Sequence, residues 1–302
     1  VMKLFSPEKL YKHFIRDNYD IIVSYLEGPT ARIVSGCTNL NTKLVSWIHI
    51  EQHTKELASK SFRSCKEALD CYSKFDRTVC VSDTVKDDFE SIFDTKKPVE
   101  VLYNTNESEK IKKLSDEKVD DVDFSKDTIN IISVAKIVPS KGYDRPMKIH
   151  KKLIEKNIKN HIYIFGIGEE KEKYEKYLIE NNLTDTFTFL GYRDNPYKYV
   201  KKADLYVCSS RREGFSTAVT EALIVGTPVV STNCSGAYEL LGKNNEYGIV
   251  TENNEDALYE GIKKMLTTPD LLEAYAAKAK ERGKAFSTEK TVKAVEEMLS
   301  AL

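Results

Sequence analysis

Short apolar runs alternate with longer polar segments along the chain. The runs are rich in valine and isoleucine and apolar at successive positions, which is typical of buried strands in a parallel sheet. They are YDIIVSYLE, KLVSWIHI, RTVCVS and VEVLYN, then, after residue 128, INIISVAK, HIYIFG, FTFLGY, ADLYVCSS and GTPVVST. The segments between them, such as TKELASKSFRSCKEALDCYSKF, carry charges at helical spacing. The alternation predicts right-handed β-α-β units, hence an α/β fold with parallel sheets.

A polar, acidic stretch, NESEKIKKLSDEKVDDVDFSKDT, separates the two groups of strands and is the best candidate for a linker. The sequence therefore predicts a first domain over residues 1–108, a linker over 109–127 and a second domain over 128–285. The final segment, STEKTVKAVEEMLSAL, has apolar residues at helical spacing and predicts a C-terminal helix over 286–302.

Composition excludes several classes of protein. The chain has 302 residues, 46 of them basic and 47 acidic, so no bulk charge attracts it to nucleic acid. No run approaches the roughly 18 consecutive apolar residues of a membrane span, and the charged N-terminus does not resemble a signal peptide. The six cysteines lack paired spacing, which favours neither a disulfide framework nor a zinc site. We therefore expect a cytoplasmic protein.

The candidate chemistry lies in ADLYVCSSRREGFSTAVTEALIVGTPVVST. A buried strand ends before a short loop that carries Glu213, and Ser216 or Thr217 is placed to cap a helix that Gly226 ends. Ligands of open α/β sheets bind beyond the carboxyl ends of the strands, where free N–H groups at a helix N-terminus suit a phosphate. Glu213 is therefore expected to face a ligand, and Glu221 to reach it from the second turn of the helix.

The two glutamates also have an ordinary structural interpretation. Glu213 would be a carboxylate near the helix cap, and Glu221 a solvated helix residue. The residues around them, GF after the first and EA followed by apolar residues, G and PVV after the second, favour the functional interpretation.

This stretch resembles the signature of the retaining glycosyltransferases of family 4, which have the GT-B fold of two Rossmann-like domains. SVAKIVPSKGYD, YIFGIGEE, FTFLGY and CSGAYELL resemble further segments of the donor-binding domain. SWIH, RTVCVSD and VLYNTN resemble the acceptor-side domain and the hinge, and WIH is similar to enzymes that build bacterial capsules and other surface polysaccharides. Compared with a typical member of the family, the first domain is expected to be truncated and to lack the initial β-α-β units.

The resemblance implies roles for individual residues. Glu213 would position the donor sugar, Glu221 would bind the ribose hydroxyls, and Lys136 and Lys141 would hold the diphosphate. The backbone N–H groups of Phe215, Ser216 and Thr217 would bind the distal phosphate, and Gly214 of the same loop would also take part in donor binding. This chain has Ala135 and Lys136 where the family usually has glycine and arginine, which keeps the positive charge but loses the guanidinium fork.

Four further positions carry alternatives. His49 ends the KLVSWIHI strand and matches the family's histidine near the donor sugar; a core histidine is the other interpretation. Gly166, in a G-x-G turn, is weak evidence for a phosphate contact. Tyr192 and Arg193 follow FTFLG, where they either meet the nucleotide base or form an ordinary surface loop.

The resemblance implies a hexosyltransferase that retains configuration and moves a sugar, expected from a UDP-sugar, to a glycan or lipid-linked glycan acceptor in surface polysaccharide synthesis. Two cations and a helix N-terminus suffice to neutralise the leaving diphosphate, so no metal or other cofactor is expected. The alternative is a non-catalytic, nucleotide-sugar-binding subunit of a transferase complex. Association with a partner subunit or with the inner face of the membrane is left open.

Overall fold

The structure is a computed structural model that describes residues 3–125 and 127–302. Val1, Met2 and Lys126, which fall in the predicted first domain and linker, lie outside the described residues. The chain divides into two compact units. The first comprises the described residues up to Asn104 together with Val292–Leu302, and the second comprises Thr105–Thr291.

The first unit contains, in its described residues, one sheet of four parallel strands. The strands are Ile21–Ser24 (β1), Lys43–Ile48 (β2), Arg77–Cys80 (β3) and Val99–Val101 (β4), and the helices are Pro7–Phe14 (α1), Pro29–Val34 (α2), Lys55–Ala58 (α3), Cys65–Tyr72 (α4) and Asp83–Ile92 (α5). The strands follow one another across the sheet in the order β1-β2-β3-β4. All four match apolar runs from which strands were predicted.

The helical segment predicted after β2 is divided in two. Phe62 is buried between α3 and α4, with only 1% of its surface exposed, and packs against Tyr72. Ser64 then caps α4, because its hydroxyl accepts a hydrogen bond from the Glu67 N–H. The charges at helical spacing predicted a single helical segment here, and the structure divides it into α3 and α4.

The second unit contains, in the part of the chain described, one sheet of six parallel strands. The strands are Ile129–Val134 (β5), Asn160–Phe165 (β6), Phe187–Gly191 (β7), Leu205–Cys208 (β8), Val229–Thr232 (β9) and Ile249–Thr251 (β10). The helices are Ser108–Ser115 (α6), Asp144–Glu155 (α7), Lys171–Glu180 (α8), Tyr197–Lys202 (α9), Thr217–Val225 (α10), Ala237–Leu241 (α11), Glu255–Thr267 (α12), Leu271–Gly283 (α13) and Thr288–Ser300 (α14), the last of which continues into the first unit.

The strand order of this sheet indicates where a ligand-binding crevice lies. The order is β10-β9-β8-β5-β6-β7, so the chain adds β6 and β7 on one side of β5 and then returns to add β8, β9 and β10 on the other. Such a reversal leaves a crevice between the loops that follow the two neighbouring strands, here β5 and β8. The loop that carries Glu213 follows β8, and the loop that carries Lys136 and Lys141 follows β5.

The segment predicted as a linker is folded into the second unit. The division falls after Asn104 rather than after residue 108, and α6 packs against α9 and α10. Ile111 and Ser115 are buried on the inner face of α6, with 3% and 5% of their surfaces exposed. The acidic composition of the segment concealed this short apolar face.

The longest helices of the described chain, α12, α13 and α14, have 13 residues each. No helix among the described residues is long and apolar enough to cross a membrane.

Candidate active site

A cavity of about 280 Å³ lies at the carboxyl ends of β5 and β8. Its walls come from the loop after β5, the loop after β8 and the first turn of α10. The predicted site residues that line it are Lys136, Lys141, Glu213, Phe215, Ser216 and Thr217. The structure therefore brings together residues from two parts of the sequence that lie more than 70 positions apart.

Lys141 and Glu213 form an ion pair inside this cavity. The Lys141 Nζ donates to Glu213 Oε1 at 2.6 Å, and the Ser210 hydroxyl donates to the same oxygen at 2.7 Å. Both charged side chains are largely buried, with 24% and 13% of their surfaces exposed. Each charge is thus already neutralised by the other, and a bound anion would have to share or replace Glu213 as the partner of Lys141.

An arginine holds the two cavity loops together. The Arg211 guanidinium forms paired hydrogen bonds with the Asp144 carboxylate at 2.8 and 2.7 Å and donates to the Pro139 carbonyl at 3.0 Å. Gly142 adopts a φ of +67°, and a Cβ atom there would lie 2.4 Å from the Ser209 carbonyl oxygen. Only glycine fits so close an approach. The shape of the cavity is therefore set in part by residues other than the two glutamates.

The loop after β8 enters α10 as predicted. The Ser216 hydroxyl caps the helix by accepting a hydrogen bond from the Val219 N–H, and α10 ends at Val225, just before Gly226. Phe215 packs edge-on against Phe286 and anchors the loop. Gly214 is buried and is not among the residues that line the cavity, so the lining of the cavity does not support its predicted part in donor binding.

A second cavity, of about 430 Å³, adjoins the first along Val134, Ala135 and Lys136. The other predicted residues on its walls are Gly166, Tyr192, Arg193 and Glu221. Lys136 is exposed and lines both cavities, and its side-chain ammonium group has no hydrogen bond or ion pair among the described residues. It is therefore a free positive charge between the two cavities.

The carboxyl group of Glu221 lies against Tyr197 on the wall of the second cavity. The Tyr197 hydroxyl donates to Glu221 Oε1 at 3.3 Å. Burial raises the pKa of Glu221 to about 7, although the hydrogen bond from Tyr197 acts in the opposite direction. The ordinary alternative of a solvated helix glutamate is thus wrong for the environment of Glu221.

The other predicted residues that line the second cavity differ in whether they pack within the protein or are available to a ligand. A Cβ atom on Gly166 would lie 1.9 Å from the Ala135 carbonyl oxygen, so this glycine lets the loop after β6 pack against the loop after β5. The Tyr192 side chain is 65% exposed and available to a ligand. Arg193, in contrast, is paired with Asp121 at 3.4 Å.

In the first unit, His49 lies directly after β2 and is half-buried. Its backbone N–H donates to Glu27 Oε2 at 3.0 Å, and its Nδ1 atom lies 4.0 Å from the same oxygen. Burial lowers the pKa of His49, and the nearby Glu27 carboxylate raises it by a smaller amount. The imidazole is therefore largely neutral near pH 7.

Comparisons with known proteins place the chain in a family. Residues 115–282, more than half of the chain, match the family model of glycosyl transferases group 1. The chain belongs to this family. A Campylobacter jejuni relative, N-acetylgalactosamine-N,N'-diacetylbacillosaminyl-diphospho-undecaprenol 4-alpha-N-acetylgalactosaminyltransferase, is 30% identical over 275 residues, which cover 90% of this chain and 70% of the relative. The poly(ribitol-phosphate) alpha-N-acetylglucosaminyltransferase of Staphylococcus aureus is 26% identical over 149 residues, 49% of this chain and 30% of that protein.

Solved structures agree on the fold of this glycosyltransferase. The Anabaena protein HepE in complex with UDP aligns with a TM-score of 0.77 at 16% identity, covering 98% of this chain and 81% of HepE. Sucrose-phosphate synthase from Thermosynechococcus elongatus aligns with a TM-score of 0.78 at 15% identity, covering 98% of this chain and 76% of that one. The predicted GT-B fold of two Rossmann-like domains is confirmed.

Several residues that shape the glycosyltransferase site were not predicted from the sequence. Tyr197, Ser210 and Arg211 each make the contacts described above with predicted site residues or loops. Ser210 and Arg211 lie inside the motif, three and two residues before Glu213, so their position was a usable signal. Tyr197 lies 24 residues before Glu221 in a loop-to-helix segment, and no pattern in the sequence links the two.

Proposed function

We propose that this glycosyltransferase moves a sugar from a UDP-sugar to a glycan or lipid-linked glycan acceptor in surface polysaccharide synthesis, with retention of configuration and without a metal ion. The observation that carries the proposal is the pair of adjoining cavities. One holds Lys141, Glu213 and the N-terminus of α10, the other holds Glu221, and Lys136 lies between them. The named functions of the Campylobacter and Staphylococcus relatives support an acceptor of this kind.

In this proposal the leaving diphosphate is stabilised by charge that the protein already provides. Lys136 and Lys141 supply two cations, and the N–H groups at the start of α10 supply the positive end of a helix dipole. The free Lys136 attracts the diphosphate first, and Lys141 then exchanges part of its interaction with Glu213 for a phosphate oxygen. Glu213, released from Lys141, accepts hydrogen bonds from hydroxyl groups of the donor sugar.

Retention requires that the acceptor oxygen bonds to C1 of the sugar on the face from which the diphosphate departs. As the bond between C1 and the phosphate oxygen breaks, the departing oxygen becomes basic and takes the proton of the acceptor hydroxyl. Glu213 is proposed to stabilise the oxocarbenium-like centre. Comparing the anomeric configuration of donor and product by proton NMR tests this step, because an inverted product contradicts it.

The donor class is tested by thermal unfolding with UDP, GDP and ADP, each with and without EDTA. A ligand that binds only the folded state stabilises it by about 2.7 kcal/mol at a hundredfold excess over Kd. We expect a rise in Tm with UDP that EDTA leaves unchanged and that Glu221→Ala removes. Glu260→Gln, an ion-paired surface glutamate on α12, is the matched control. Equal shifts with GDP and ADP would contradict a UDP-sugar donor, and loss of the shift in EDTA would contradict metal independence.

Lys136→Arg is expected to keep UDP binding and to tighten it by about two- to fivefold. The guanidinium keeps the positive charge and adds a planar pair of donors that matches two phosphate oxygens. Since the Lys136 side chain has no hydrogen bond or ion pair among the described residues, the change breaks no existing polar contact of that side chain. Isothermal titration with UDP measures the effect, and Lys202→Arg, at the far end of α9, is the control. Weaker binding by Lys136→Arg would mean that this position does not contact the diphosphate.

A further inference from the structure

Side chains from three other segments hold the loop that follows β8. Ser209, Ser210 and Arg211 are successive residues of this loop, and the carbonyl group of each accepts a hydrogen bond from a different side chain. Arg145, in the first turn of α7, donates to the first carbonyl at 3.3 Å. Thr232, the last residue of β9, donates to the second at 2.6 Å, and the side chain of Asn253, two residues after β10, donates to the third at 3.0 Å. The loop is therefore fixed at three successive residues.

Asn253 takes part in most of these contacts. Its Oδ1 atom accepts a hydrogen bond from Arg145 Nη1 at 2.7 Å, and its backbone carbonyl accepts one from Nη2 at 3.1 Å. Its side-chain nitrogen donates to the carbonyl groups of Arg211 and Asn233, at 3.0 and 3.2 Å. The side chain thus uses one acceptor and two donors, a combination that leucine and an ionised aspartate, which are similar in size, do not offer.

These contacts reach the first cavity through Ser210. Its hydroxyl donates to Glu213 Oε1 at 2.7 Å, beside the Nζ atom of Lys141. The carbonyl groups that Arg145 and Asn253 hold lie on either side of Ser210 in the chain. A loop released by these two side chains would therefore shift the Ser210 hydroxyl and, with it, the Glu213 carboxylate.

We propose that Asn253 is a positioning residue for sugar transfer: together with Arg145 it holds Ser210 so that the Ser210 hydroxyl keeps the Glu213 carboxylate in the orientation that the donor sugar requires. The part that Glu213 plays at the donor sugar rests on the proposed function. Asn253 acts through the loop, since it is not among the residues that line either cavity.

An effect on the chemical step is expected rather than an effect on donor binding. Misplacing a reacting group by about 1 Å can slow a reaction by about a hundredfold. The diphosphate, in contrast, would be held by Lys136 and by the N–H groups at the start of α10, which lie outside the contacts of Asn253. Loss of Asn253 should therefore lower kcat and leave the affinity for UDP nearly unchanged.

Two adjacent asparagines provide a matched pair of variants. Asn254 caps α12, where its side chain accepts the N–H of Ala257. Asn254→Ala should lower Tm, because it removes a helix cap, and leave kcat per folded molecule unchanged. Asn253→Ala should lower kcat by about ten- to a hundredfold and change the Kd for UDP by less than about threefold. The rate is measured as release of UDP from UDP-glucose, UDP-N-acetylglucosamine or UDP-N-acetylgalactosamine, using the one that the wild type consumes fastest.

The route through Glu213 is tested by combining substitutions. If Asn253 acts by orienting the Glu213 carboxylate, Asn253→Ala should slow Glu213→Gln by less than about threefold, because the group that it positions is already gone. A general loosening of the fold would slow both backgrounds equally. Arg145→Lys keeps the charge but not the fork of donors, and it should lower kcat by up to about tenfold.

The acceptor and donor roles of Asn253 are separated by Asn253→Asp. This variant keeps an acceptor for Arg145 but turns a carboxylate oxygen toward the carbonyl groups of Arg211 and Asn233. We expect it to lower kcat as much as Asn253→Ala does, because the amide donors hold the loop. Wild-type kcat in Asn253→Asp would show that those donors do not position Glu213.

Wild-type kcat in Asn253→Ala, or a full further loss when it is combined with Glu213→Gln, would overturn the proposal. Loss of UDP binding in parallel with kcat would also overturn it, because the whole cavity would then depend on Asn253. A wild type that neither binds UDP nor releases it from any of the three UDP-sugars would reject the proposed function and this role with it. That result differs from an active wild type with an equally active Asn253→Ala, which rejects the role of Asn253 alone.

Discussion

Replacing Glu213 with glutamine is expected to slow sugar transfer by about 10²- to 10³-fold, the usual loss when a group that stabilises developing charge is removed. UDP is expected to bind about two- to fivefold more tightly to the same variant. The two effects have opposite directions because Glu213 has two roles. It would stabilise the donor sugar during reaction, and its carboxylate also neutralises Lys141.

The tighter binding follows from the ion pair. A diphosphate that approaches the wild-type cavity meets an ammonium group already bound to a carboxylate 2.6 Å away. The amide of glutamine carries no charge, so Lys141 becomes free to interact with phosphate and one source of repulsion is removed. The Ser210 hydroxyl still has an acceptor in the amide oxygen, so the loop is expected to keep its shape.

The two effects are measured by the initial rate of UDP release from the UDP-sugar that stabilises the protein most, and by titration with UDP. Glu260→Gln removes an equivalent glutamate that pairs with Lys263 at 3.5 Å outside both cavities, and it should change neither quantity. Wild-type turnover in Glu213→Gln would remove this residue from the reaction. Weaker UDP binding would show that its carboxylate supports the diphosphate rather than competing for Lys141.

Much of the fold could be predicted from the sequence because buried parallel strands leave uninterrupted apolar runs. Every predicted strand region contains a strand, from β1 at Ile21–Ser24 to β9 at Val229–Thr232. One strand, β10 at Ile249–Thr251, was not predicted, because its three residues leave no apolar run long enough to recognise. Helix ends were predictable where a single residue determines them, as Ser216 does for α10.

The site was only partly predictable, because contacts between distant residues depend on strand order. The sequence placed Lys141 and Glu213 after strands, but only the adjacency of β5 and β8 brings the two charges into contact. The same holds for Arg193, because its ion pair with Asp121 forms only if the predicted linker, residues 109–127, folds as part of the second unit. Asp88 of α5 likewise contacts a segment distant in sequence, since its carboxylate accepts hydrogen bonds from the backbone N–H groups of Gln52 and His53.

The affinity for a UDP-sugar is expected to rise by about tenfold between pH 6 and pH 8 and then to level off. The cause is Glu221, whose pKa burial raises to about 7 in the unliganded protein. Ribose hydroxyls donate hydrogen bonds, so the donor prefers the ionised carboxylate. Below pH 7 binding must displace a proton from Glu221 and is weaker; above pH 7 the carboxylate is already ionised and pH has little further effect.

UDP-glucose is the appropriate probe for this dependence. The terminal phosphate of UDP itself titrates near pH 6, whereas both phosphates of a UDP-sugar are diesters without such a group. Tyr197 does not ionise in this range, because burial raises its pKa to about 12. Isothermal titration at several pH values should therefore report on Glu221.

Glu221→Gln provides the decisive comparison, since glutamine keeps the shape and an acceptor for ribose but cannot ionise. The variant is expected to bind UDP-glucose more weakly at pH 8 and to lose the pH dependence. It should also keep only part of the preference for UDP over its 2′-deoxy analogue, because an amide oxygen accepts the hydrogen bond of the 2′-hydroxyl more weakly than an ionised carboxylate does. If the variant kept the wild-type pH profile, another group would titrate and Glu221 would not bind the ribose. If it lost the profile but kept the preference, the carboxylate would act on the donor through its charge alone.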